Sequence, residues 1–481
     1  MENQENIAKK WQICPECNGQ GRVRQKIKRK KKLYYEKALE IYENTDQKGE
    51  KPIPPKSHLK ICENCNASGI IPSENYPIPD TEHFPKIAII GGGIGGVALA
   101  VACLHRGIPF TLYEKDESFN ARMQGYGLTL QQANVAIKAF GIKKLKDGIV
   151  STRHVVHNIE GKILGEWGKR KWLANNEKTA TRRSNMHIAR QSLRLELLQQ
   201  LDEKNAVKWN HQLLDLKNLT DKTVELKFKI NDEIKTTKAD LVVGADGIRS
   251  TVRNFIIDEK LSPLRYLDCI VILGICPLKK NKTLKSELLD SETVFQTANG
   301  VERMYMMPYS STEIMWQFSY PISEELALNL SREGSKALKN DVFERTKSWH
   351  SPISDIISGT PQENISGYPV YDRVVLNSDL FKKIGSVTLL GDAAHPMSPF
   401  KGQGANQALL DALSLAKIIY KNCKYKNWRE DGIRTSVLNQ FEKEMLERTA
   451  IKVKDSREAA TILHSETVLI ETNQPRGNIL K

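Results

Sequence analysis

Two short cysteine motifs near the amino end could hold a metal ion. Cys14 and Cys17 lie in CPECNGQG, and Cys62 and Cys65 lie in CENCNASG, so the form C-x-x-C-N-x-x-G occurs twice. Four thiolates in two tight pairs suit tetrahedral Zn²⁺, which accepts soft ligands. The Asn and Gly after each pair favour a turn that directs backbone amides towards the sulfur atoms. We therefore predict a structural zinc site at these four cysteines, with a redox-active dithiol as the alternative.

A glycine-rich motif farther along the chain predicts a site for a dinucleotide. Gly91, Gly93 and Gly96 satisfy G-x-G-x-x-G, and Glu114 follows 21 residues after Gly93. Glycine allows a tight turn close to a pyrophosphate at the amino end of a helix, and the carboxylate can accept both ribose hydroxyls. The elements that must position these residues are an apolar strand at 87–90, an apolar helix that runs to Arg106 and a second strand at 110–113. This motif alone does not distinguish FAD from NAD.

Two later segments favour a flavin. The apolar run at 241–243 leads into Gly-Ala-Asp-Gly, which contains Asp246, and a later apolar run leads into GDAAHPMSPFKGQGANQALLDAL. In the second segment Asp392 can accept hydrogen bonds from ribitol hydroxyls. The amides of the turn at Gly402 and Gly404 can face the pyrimidine edge of an isoalloxazine, where negative charge develops on reduction. Together the segments predict a binding site for FAD.

These three motifs, in this order, resemble those of the class A flavoprotein monooxygenases, which are single-component aromatic hydroxylases of the p-hydroxybenzoate hydroxylase fold. The nearest branches are the kynurenine and the tetracycline-inactivating monooxygenases, and the resemblance spans about residues 84–470. It implies an α/β protein with a Rossmann-like FAD-binding domain, an inserted β-sheet substrate domain and C-terminal helices. It also implies that NAD(P)H reduces FAD, that O₂ forms a C4a-hydroperoxyflavin, and that one oxygen atom enters a small aromatic or polycyclic substrate.

The resemblance assigns cofactor-binding residues by their motif positions. In the first motif these are Gly91, Gly93, Ile94, Gly95, Gly96, Glu114 and Lys115. In the other two they are Asp246, Gly247, Asp392, Pro399, Gly402, Gly404, Ala405 and Asn406. Arg190 matches an arginine on a short helix that touches FAD, and Arg122 and Thr129 stand at positions near the ring. Thr129 replaces an aspartate of the tetracycline-inactivating branch.

No single catalytic residue stands out, which suits a reaction whose chemistry a cofactor carries. His395 and Lys401 lie in the flavin motif. We interpret His395 as structural, and whether either residue takes part in the chemistry stays open.

The amino-terminal segment has a second feature besides its cysteines. Its first motif resembles the cysteine-rich repeats of DnaJ-type chaperones, but Ala67 replaces a glycine in the second motif, so chaperone activity is not implied. Between the motifs, RVRQKIKRKKK (22–32) has eight basic residues in eleven. We interpret the segment as a structural appendage or docking surface, and nucleic-acid binding is the less favoured alternative.

Composition indicates an ordinary soluble protein with two or three domains. The chain has 481 residues, 40% hydrophobic and 27% charged, and a formal net charge of +15. We expect a cytoplasmic protein without a membrane anchor, because there is no secretory signal or long apolar run and the eight cysteines do not suggest a disulfide framework. The predicted boundaries are a zinc module and linker at 1–80, a discontinuous FAD-binding domain at 84–154, 181–262 and 378–425, a substrate domain at 155–180 and 263–377, and a helical segment at 426–481.

Two alternative activities share the predicted fold. A flavin-dependent halogenase would carry W-x-W-x-I-P, which this chain lacks. An FAD oxidoreductase that does not transfer oxygen is the other. Use of NADH or NADPH, the substrate and the oligomeric state are open at this stage.

Overall fold

The chain folds into two compact units, Met1–Ile78 and Pro79–Lys481. The structure is a computed structural model, and it describes residues 10–45, 47, 49–55, 57–121, 125–131, 133–170, 185–201, 205–278, 286–425 and 427–476.

The amino-terminal unit is built around its cysteines. Its elements are β1 (Lys10–Ile13), β2 (Arg22–Arg24), α1 (Arg29–Asn44), β3 (Leu59–Ile61) and β4 (Ile70–Ser73). The first and last strands, β1 and β4, pair antiparallel, and so do the middle strands β2 and β3. The four cysteines form a buried cluster with Val23 and Ile71 packed against it, Trp11 and Ile70 are also buried, and no residue of α1 is buried. So small an apolar core needs a further source of stability, such as a bound metal ion.

The second unit has eighteen strands in its described part. They are β5 (Ile87–Ile90), β6 (Phe110–Tyr113), β7 (Gly127–Leu130), β8 (Ile149–Val150), β9 (Arg153–His157), β10 (Ile163–Trp167), β11 (Met186–Ala189), β12 (Val207–Lys208), β13 (Gln212–Asn218), β14 (Val224–Ile230), β15 (Glu233–Ala239), β16 (Leu241–Gly244), β17 (Leu264–Pro277), β18 (Thr293–Ala298), β19 (Arg303–Ser310), β20 (Glu313–Pro321), β21 (Ile365–Arg373) and β22 (Val387–Leu389).

The helices of this unit lie between and after these strands. They are α2 (Ile94–Leu104), α3 (Ala133–Ala136), α4 (Arg190–Leu198), α5 (Thr251–Ile256), α6 (Glu324–Glu333), α7 (Ser335–Thr346), α8 (Ile353–Gly359), α9 (Gly404–Cys423), α10 (Trp428–Asp431) and α11 (Asn439–Leu463). Among the helices in the described ranges, none combines the length and the apolar character that a bilayer crossing requires.

A parallel sheet brings the three predicted flavin motifs to one edge. Its strand order is β12-β6-β5-β16-β22, and Val242 in β16 lies opposite both Ala88 and Val387. The apolar residues of β5, β16 and β22 are buried, as expected for strands covered on both faces. The helix α2 is buried along its whole length and packs against α9. Because parallel strands end at a common edge, the segments after β5, β16 and β22 meet there.

A second, seven-stranded sheet has the order β10-β9-β18-β19-β20-β17-β21. One face, with Met306, Trp316 and Phe318, packs against α6, α7 and α8. The indole of Trp316 donates to the hydroxyl of Thr360 at 2.9 Å, so this tryptophan is a core residue. The opposite face, which we call the inner face, carries Val271, Ile275, Met307 and Met315. Strand alternation separates the two sets.

The predicted fold class is confirmed: an α/β protein with a dinucleotide-type sheet, a second sheet domain and C-terminal helices. The strands of the seven-stranded sheet come from both stretches that we assign to the substrate domain, beginning at Arg153. The residue boundaries of the individual domains remain predictions.

Candidate functional site

The first glycine motif forms a turn with no room for side chains at two positions. Gly91 has φ of +108°, and a Cβ there would lie 2.5 Å from the carbonyl oxygen of Ala245. A Cβ on Gly96 would overlap the carbonyl oxygen of Gly91. The turn is therefore packed against its own helix and against the segment after β16, and glycine is required at both positions.

Gly93 differs from Gly91 and Gly96 because a side chain at this position would point into open space. Apart from its chain neighbours and its own helix, no atom of the described residues lies within 4 Å of a Cβ built on Gly93. Gly93 is the N-cap of α2, no side chain caps that helix, and Ile94 and Gly95 form its first turn. Helix amides without intrahelical partners attract anions. The open cradle and the free amides fit a pyrophosphate at this position.

Glu114 ends β6 beside the glycine turn. One carboxylate oxygen accepts a hydrogen bond from the Gly92 amide at 2.5 Å, and the other accepts from the Asp116 amide at 3.0 Å. A carboxylate offers about four acceptor positions, so the two that remain fit ribose hydroxyls. Lys115, the next residue, is exposed.

Arg194 also holds the glycine turn, and our sequence analysis missed it. Its Nε donates to the carbonyl oxygen of Gly92 at 2.7 Å, and its guanidinium lies 5.1 Å from the ring centre of Phe119. Arg194 stands four residues after Arg190 on α4, which places both arginines on one face of that helix. This spacing is the signal that could have identified it.

Asp246 has a local structural role. One of its carboxylate oxygens accepts from the amides of Thr251 at 2.7 Å and Val252 at 3.2 Å, and the other accepts from the hydroxyl of Ser250. The side chain therefore caps α5. Burial raises the pKa of Asp246. Gly247, at φ +83°, borders open space, so a cofactor could approach the backbone here.

Asp392 follows β22, at the edge of the parallel sheet where the three motifs meet. Its side chain is accessible to solvent, yet protein surrounds it so closely that burial raises its pKa, against the opposing effect of His395 and Arg190. The preceding Gly391 has φ of +58°. One carboxylate oxygen lies 3.5 Å from the place that a Cβ on Gly404 would occupy, at the start of α9. An open acceptor in this position fits the predicted ribitol contact.

A buried network fixes the turn that carries Asp392. Asp411, on α9, accepts hydrogen bonds from the Gly391 amide at 3.0 Å, from His395 at 2.6 Å and from Arg448 at 2.6 Å. Burial opposes ionisation of Asp411, but His395 and Arg448 outweigh it and lower its pKa. His395 thus has a structural partner, as we expected. Asp411 and Arg448 are further residues that sequence reasoning missed.

The glycine-rich turn of the third motif is braced by Asn406. A single turn of 3₁₀ helix, Pro399–Lys401, ends at Gly402, which has φ of +58°. The side-chain nitrogen Nδ2 of Asn406 donates to the carbonyl oxygens of Thr129 and Gly402, each at 2.8 Å. Its side-chain oxygen Oδ1 accepts from the backbone amide of Gln131 at 2.9 Å. The Asn406 side chain is buried and occupied by these bonds. Contact of this loop with a cofactor would therefore come from the backbone, including that of Ala405.

Thr129 begins a chain of hydrogen bonds that leads away from this loop. Its hydroxyl lies 3.1 Å from Nδ1 of His187, and Nε2 of His187 lies 2.9 Å from the hydroxyl of Ser151. That hydroxyl in turn lies 3.1 Å from Nε2 of His154. Thr129 is thus held by polar partners. Arg122, our other prediction for this region, lies outside the described residues.

The inner face of the seven-stranded sheet lies against the glycine-rich turn of the third motif. Phe400, from the glycine-rich turn, packs against the cluster that contains Val271 and Leu273. Tyr126 packs against this cluster and also against Met307 and Met315. The guanidinium of Arg190 lies 5.1 Å from the ring centre of Tyr126. The predicted flavin loop and the sheet therefore approach each other directly.

The four predicted metal ligands lie together in the amino-terminal unit. Sγ of Cys14 is 3.8 Å from Sγ of Cys62, Sγ of Cys17 is 3.7 Å from Sγ of Cys65, and all four sulfur atoms lie within 4.8 Å of one another. A tetrahedral ion with Zn–S bonds of about 2.3 Å has S–S edges of about 3.8 Å, so the cluster fits zinc.

The turns after each cysteine pair repeat the same geometry. The Gly21 amide lies 3.2 Å from Sγ of Cys17, and the Gly69 amide lies 3.3 Å from Sγ of Cys65. A Cβ on Gly21 would overlap the carbonyl oxygen of Ala67. The predicted amide–sulfur contacts are thus present in both repeats.

The arrangement in the second unit defines a flavoprotein. The parallel sheet brings the glycine turn, Asp246 and Asp392 to one edge. Residues 85–433 match the family described as "FAD binding domain". The chain belongs to this family.

Relatives define the class of enzyme. The chain is 27% identical over 420 residues to the dual trans-enoyl reductase/FAD-dependent monooxygenase tazHJ of Aspergillus terreus, covering 79% of this chain and 55% of that protein. It is 27% identical over 336 residues to the aurachin C monooxygenase/isomerase of Stigmatella aurantiaca, covering 69% of this chain and 80% of that protein. The protein is an FAD-dependent monooxygenase, an oxidoreductase.

Solved structures share the fold. The structure of Klebsiella pneumoniae HpxO complexed with FAD and uric acid superposes with a TM-score of 0.64 at 20% identity, covering 82% of this chain and 92% of that one.

Proposed function

We propose that the protein uses NAD(P)H and O₂ to insert one oxygen atom into a small aromatic or polycyclic substrate. In the balanced reaction, the substrate, O₂, NAD(P)H and a proton give the oxygenated product, water and NAD(P)⁺. The observation that carries the proposal is the direct approach of Phe400, in the flavin loop, to the inner face of the second sheet. A substrate between these two walls would lie beside the flavin ring.

The residues at the common edge of the parallel sheet would hold FAD along its whole length. The open amides at Gly93 would bind the pyrophosphate, Glu114 the adenosine ribose and Asp392 the ribitol. Backbone amides of the turn between Gly402 and Asn406 would face the pyrimidine edge and stabilise its negative charge. When bound, FAD would supply the acceptance of a hydride from NAD(P)H and the activation of O₂ at its C4a carbon.

The second wall supports an aromatic substrate. Tyr126, Tyr305 and Tyr309 pack with Met307 and Met315 on the inner face, and such apolar and aromatic walls suit flat ring compounds. The structural neighbour HpxO was solved with uric acid. We extend from this only the general class, a small ring compound.

The sequence has a single dinucleotide motif, which we assign to FAD, so NAD(P)H has no such motif of its own. The chain contains one G-x-G-x-x-G, at Gly91, Gly93 and Gly96. We therefore propose that NAD(P)H reaches the flavin without a Rossmann site of its own.

For the amino-terminal unit we propose a structural zinc ion held by Cys14, Cys17, Cys62 and Cys65. None of the eight cysteines forms a disulfide bond, which supports a reducing compartment, and we propose the cytoplasm.

The decisive experiment is a compound screen with the FAD-loaded full chain. We expect some aromatic compounds to accelerate NAD(P)H oxidation and to gain the mass of one oxygen atom. The matched variant Asp392→Asn should reduce both signals together, because it removes the proposed ribitol contact. Peroxide as the sole product with every compound would overturn the proposal in favour of an oxidoreductase that does not transfer oxygen. A chlorinated product would favour a halogenase.

A further inference from the structure

The basic helix α1 and the proline-rich stretch that follows it enclose a groove in the amino-terminal unit. Its volume is about 580 Å³. The apolar part of its wall consists of Tyr34, Tyr35 and Ala38 on α1 and Pro52, Ile53 and Pro55 on the extended stretch. These residues belong neither to the proposed zinc site nor to the proposed FAD-binding residues.

The walls of this groove expose much apolar surface. Tyr34 is 79% exposed and Ile53 is 83% exposed, and none of the sixteen residues of α1 is buried. A helix of this length gains most of its stability from tertiary packing. The burial of Tyr34 and Ile53 under a partner would therefore be favourable, and contiguous exposed apolar patches commonly mark interaction sites.

Positive charge surrounds one part of the groove. Among the described residues, Lys28, Lys30 and Lys31 contribute to its lining and no acidic residue does. Within the described residues none of these three lysines forms an ion pair, whereas Lys32 pairs with Glu36 at 3.6 Å. The complementary ligand is anionic as well as apolar.

We propose that the groove binds a segment of a partner protein that has an aromatic or aliphatic side chain next to acidic residues. The apolar side chain would fill the space between Tyr34 and Ile53, and the carboxylates would face Lys28, Lys30 and Lys31. A second copy of this chain fits poorly, because its net charge is +15.

Two other anionic partners fit the groove less well. A membrane surface is flat, whereas the apolar residues here line a concave groove, and Glu36, Glu40 and Glu43 on the remainder of α1 would repel anionic lipid. A single-stranded nucleic acid needs a basic track along its backbone, whereas these lysines cluster at the start of α1.

The test uses the zinc-loaded full chain and a displayed library of random dodecapeptides. We expect the enriched peptides to be acidic and to contain a large apolar residue. A synthetic, fluorescently labelled copy of the most enriched peptide is then titrated by anisotropy. Lys31→Glu and Tyr34→Ala should each weaken its binding by about tenfold or more. Lys31 lies in the first turn of α1, where glutamate favours the helix, so the loss would not come from unfolding.

Two matched controls make the result specific to the groove. Lys37→Glu changes another lysine and Leu33→Ala another large apolar residue, both at exposed positions of α1 that do not line the groove, and each should change the affinity by less than about twofold. Equal weakening by Lys37→Glu and Lys31→Glu would overturn the proposal, as would the absence of enriched acidic peptides. Binding of oligothymidylate or of phosphatidylserine vesicles that is lost in both groove variants would assign the surface to nucleic acid or membrane instead.

Discussion

The carboxylate of Asp411 and the imidazole of His395 lie 2.6 Å apart, both buried, directly behind the turn that carries Asp392. Arg448 binds the second oxygen of Asp411 at 2.6 Å. The second ring nitrogen of His395 has no hydrogen-bond partner among the described residues. The buried carboxylate of Asp411 thus holds the backbone turn that carries the exposed carboxylate of Asp392.

Asp411→Asn should destabilise the protein strongly. The substitution leaves the partly exposed Arg448 and the buried Gly391 amide without their charged acceptor, which costs about 1–3 kcal/mol. Urea unfolding of the flavin-free protein measures the change in the free energy of unfolding.

Asp392→Asn is the control, because it changes a carboxylate of the same motif in the opposite situation. Burial raises the pKa of Asp392, so its charge is unfavourable in the flavin-free fold. We expect unchanged or slightly higher stability without flavin and weaker FAD binding. Equal destabilisation by the two substitutions would contradict this assignment of roles.

Two glycines of the first motif should respond differently to alanine. Gly96→Ala places a Cβ against the carbonyl oxygen of Gly91, and such overpacking costs about 1–3 kcal/mol of folding free energy. Gly93→Ala meets no protein atom within 4 Å, so the stability of the flavin-free protein should not change. Its methyl group occupies the proposed pyrophosphate cradle, and we expect FAD affinity to fall by about tenfold or more. Unaltered FAD affinity in Gly93→Ala would place the pyrophosphate elsewhere.

The zinc module should depend on its glycines as well as on its cysteines. Gly21→Ala forces a Cβ into the carbonyl oxygen of Ala67 and displaces the amide that contacts Cys17. Loss of such a contact typically lowers metal affinity by about 10–100-fold. Competition with a chromophoric chelator measures the zinc affinity of the full chain.

Ala67→Gly is the matched control in the other repeat. Ala67 has φ of +70°, a conformation that glycine adopts without strain, so this change should retain zinc and stabilise the module by about 1 kcal/mol. If Gly21→Ala binds zinc as tightly as Ala67→Gly does, the proposed role of the turn is wrong.

Stability should fall in mild acid because several histidines are buried in their neutral form. Burial lowers the pKa of His105 and His187 to about 3, and the pKa of His154 and His464 to about 4, from an ordinary value of 6.5. Below pH 6.5 the unfolded chain therefore binds more protons than the folded one, and the free energy of unfolding decreases as the pH falls.

His187→Gln should reduce that pH dependence by the share of one histidine, because glutamine does not titrate but can bond to Thr129 and Ser151. Urea unfolding at about pH 7 and about pH 5 compares the slopes. Identical slopes for the variant and the parent protein would show that folding does not lower the pKa of His187.

Local patterns made much of this architecture predictable. Gly91, Gly93, Gly96 and Glu114 are fixed by a strand–turn–helix unit whose spacing is visible in the sequence. The cysteine repeats predicted both the cluster and the amide–sulfur contacts. These features depend on residues that are close in the chain or repeated at a fixed distance.

Other features could not be predicted because they arise from tertiary packing. The pairing of Asp411 with Arg448 joins two helices, and neither residue belongs to a recognisable motif. The capping role of Asp246 depends on where α5 begins. The sequence also could not show that Trp316 and Met307 lie on opposite faces of one sheet, because both belong to apolar strands.

The most direct test of the account is a titration of the flavin-free full chain with FAD, followed by flavin absorbance and by fluorescence quenching. We expect one FAD for each chain, with weaker binding in Gly93→Ala and in Asp392→Asn, since the two residues hold different parts of one cofactor. A chain that binds no FAD, or one whose affinity is unaffected by both substitutions, would contradict the claim that the segments after β5, β16 and β22 form a single flavin site.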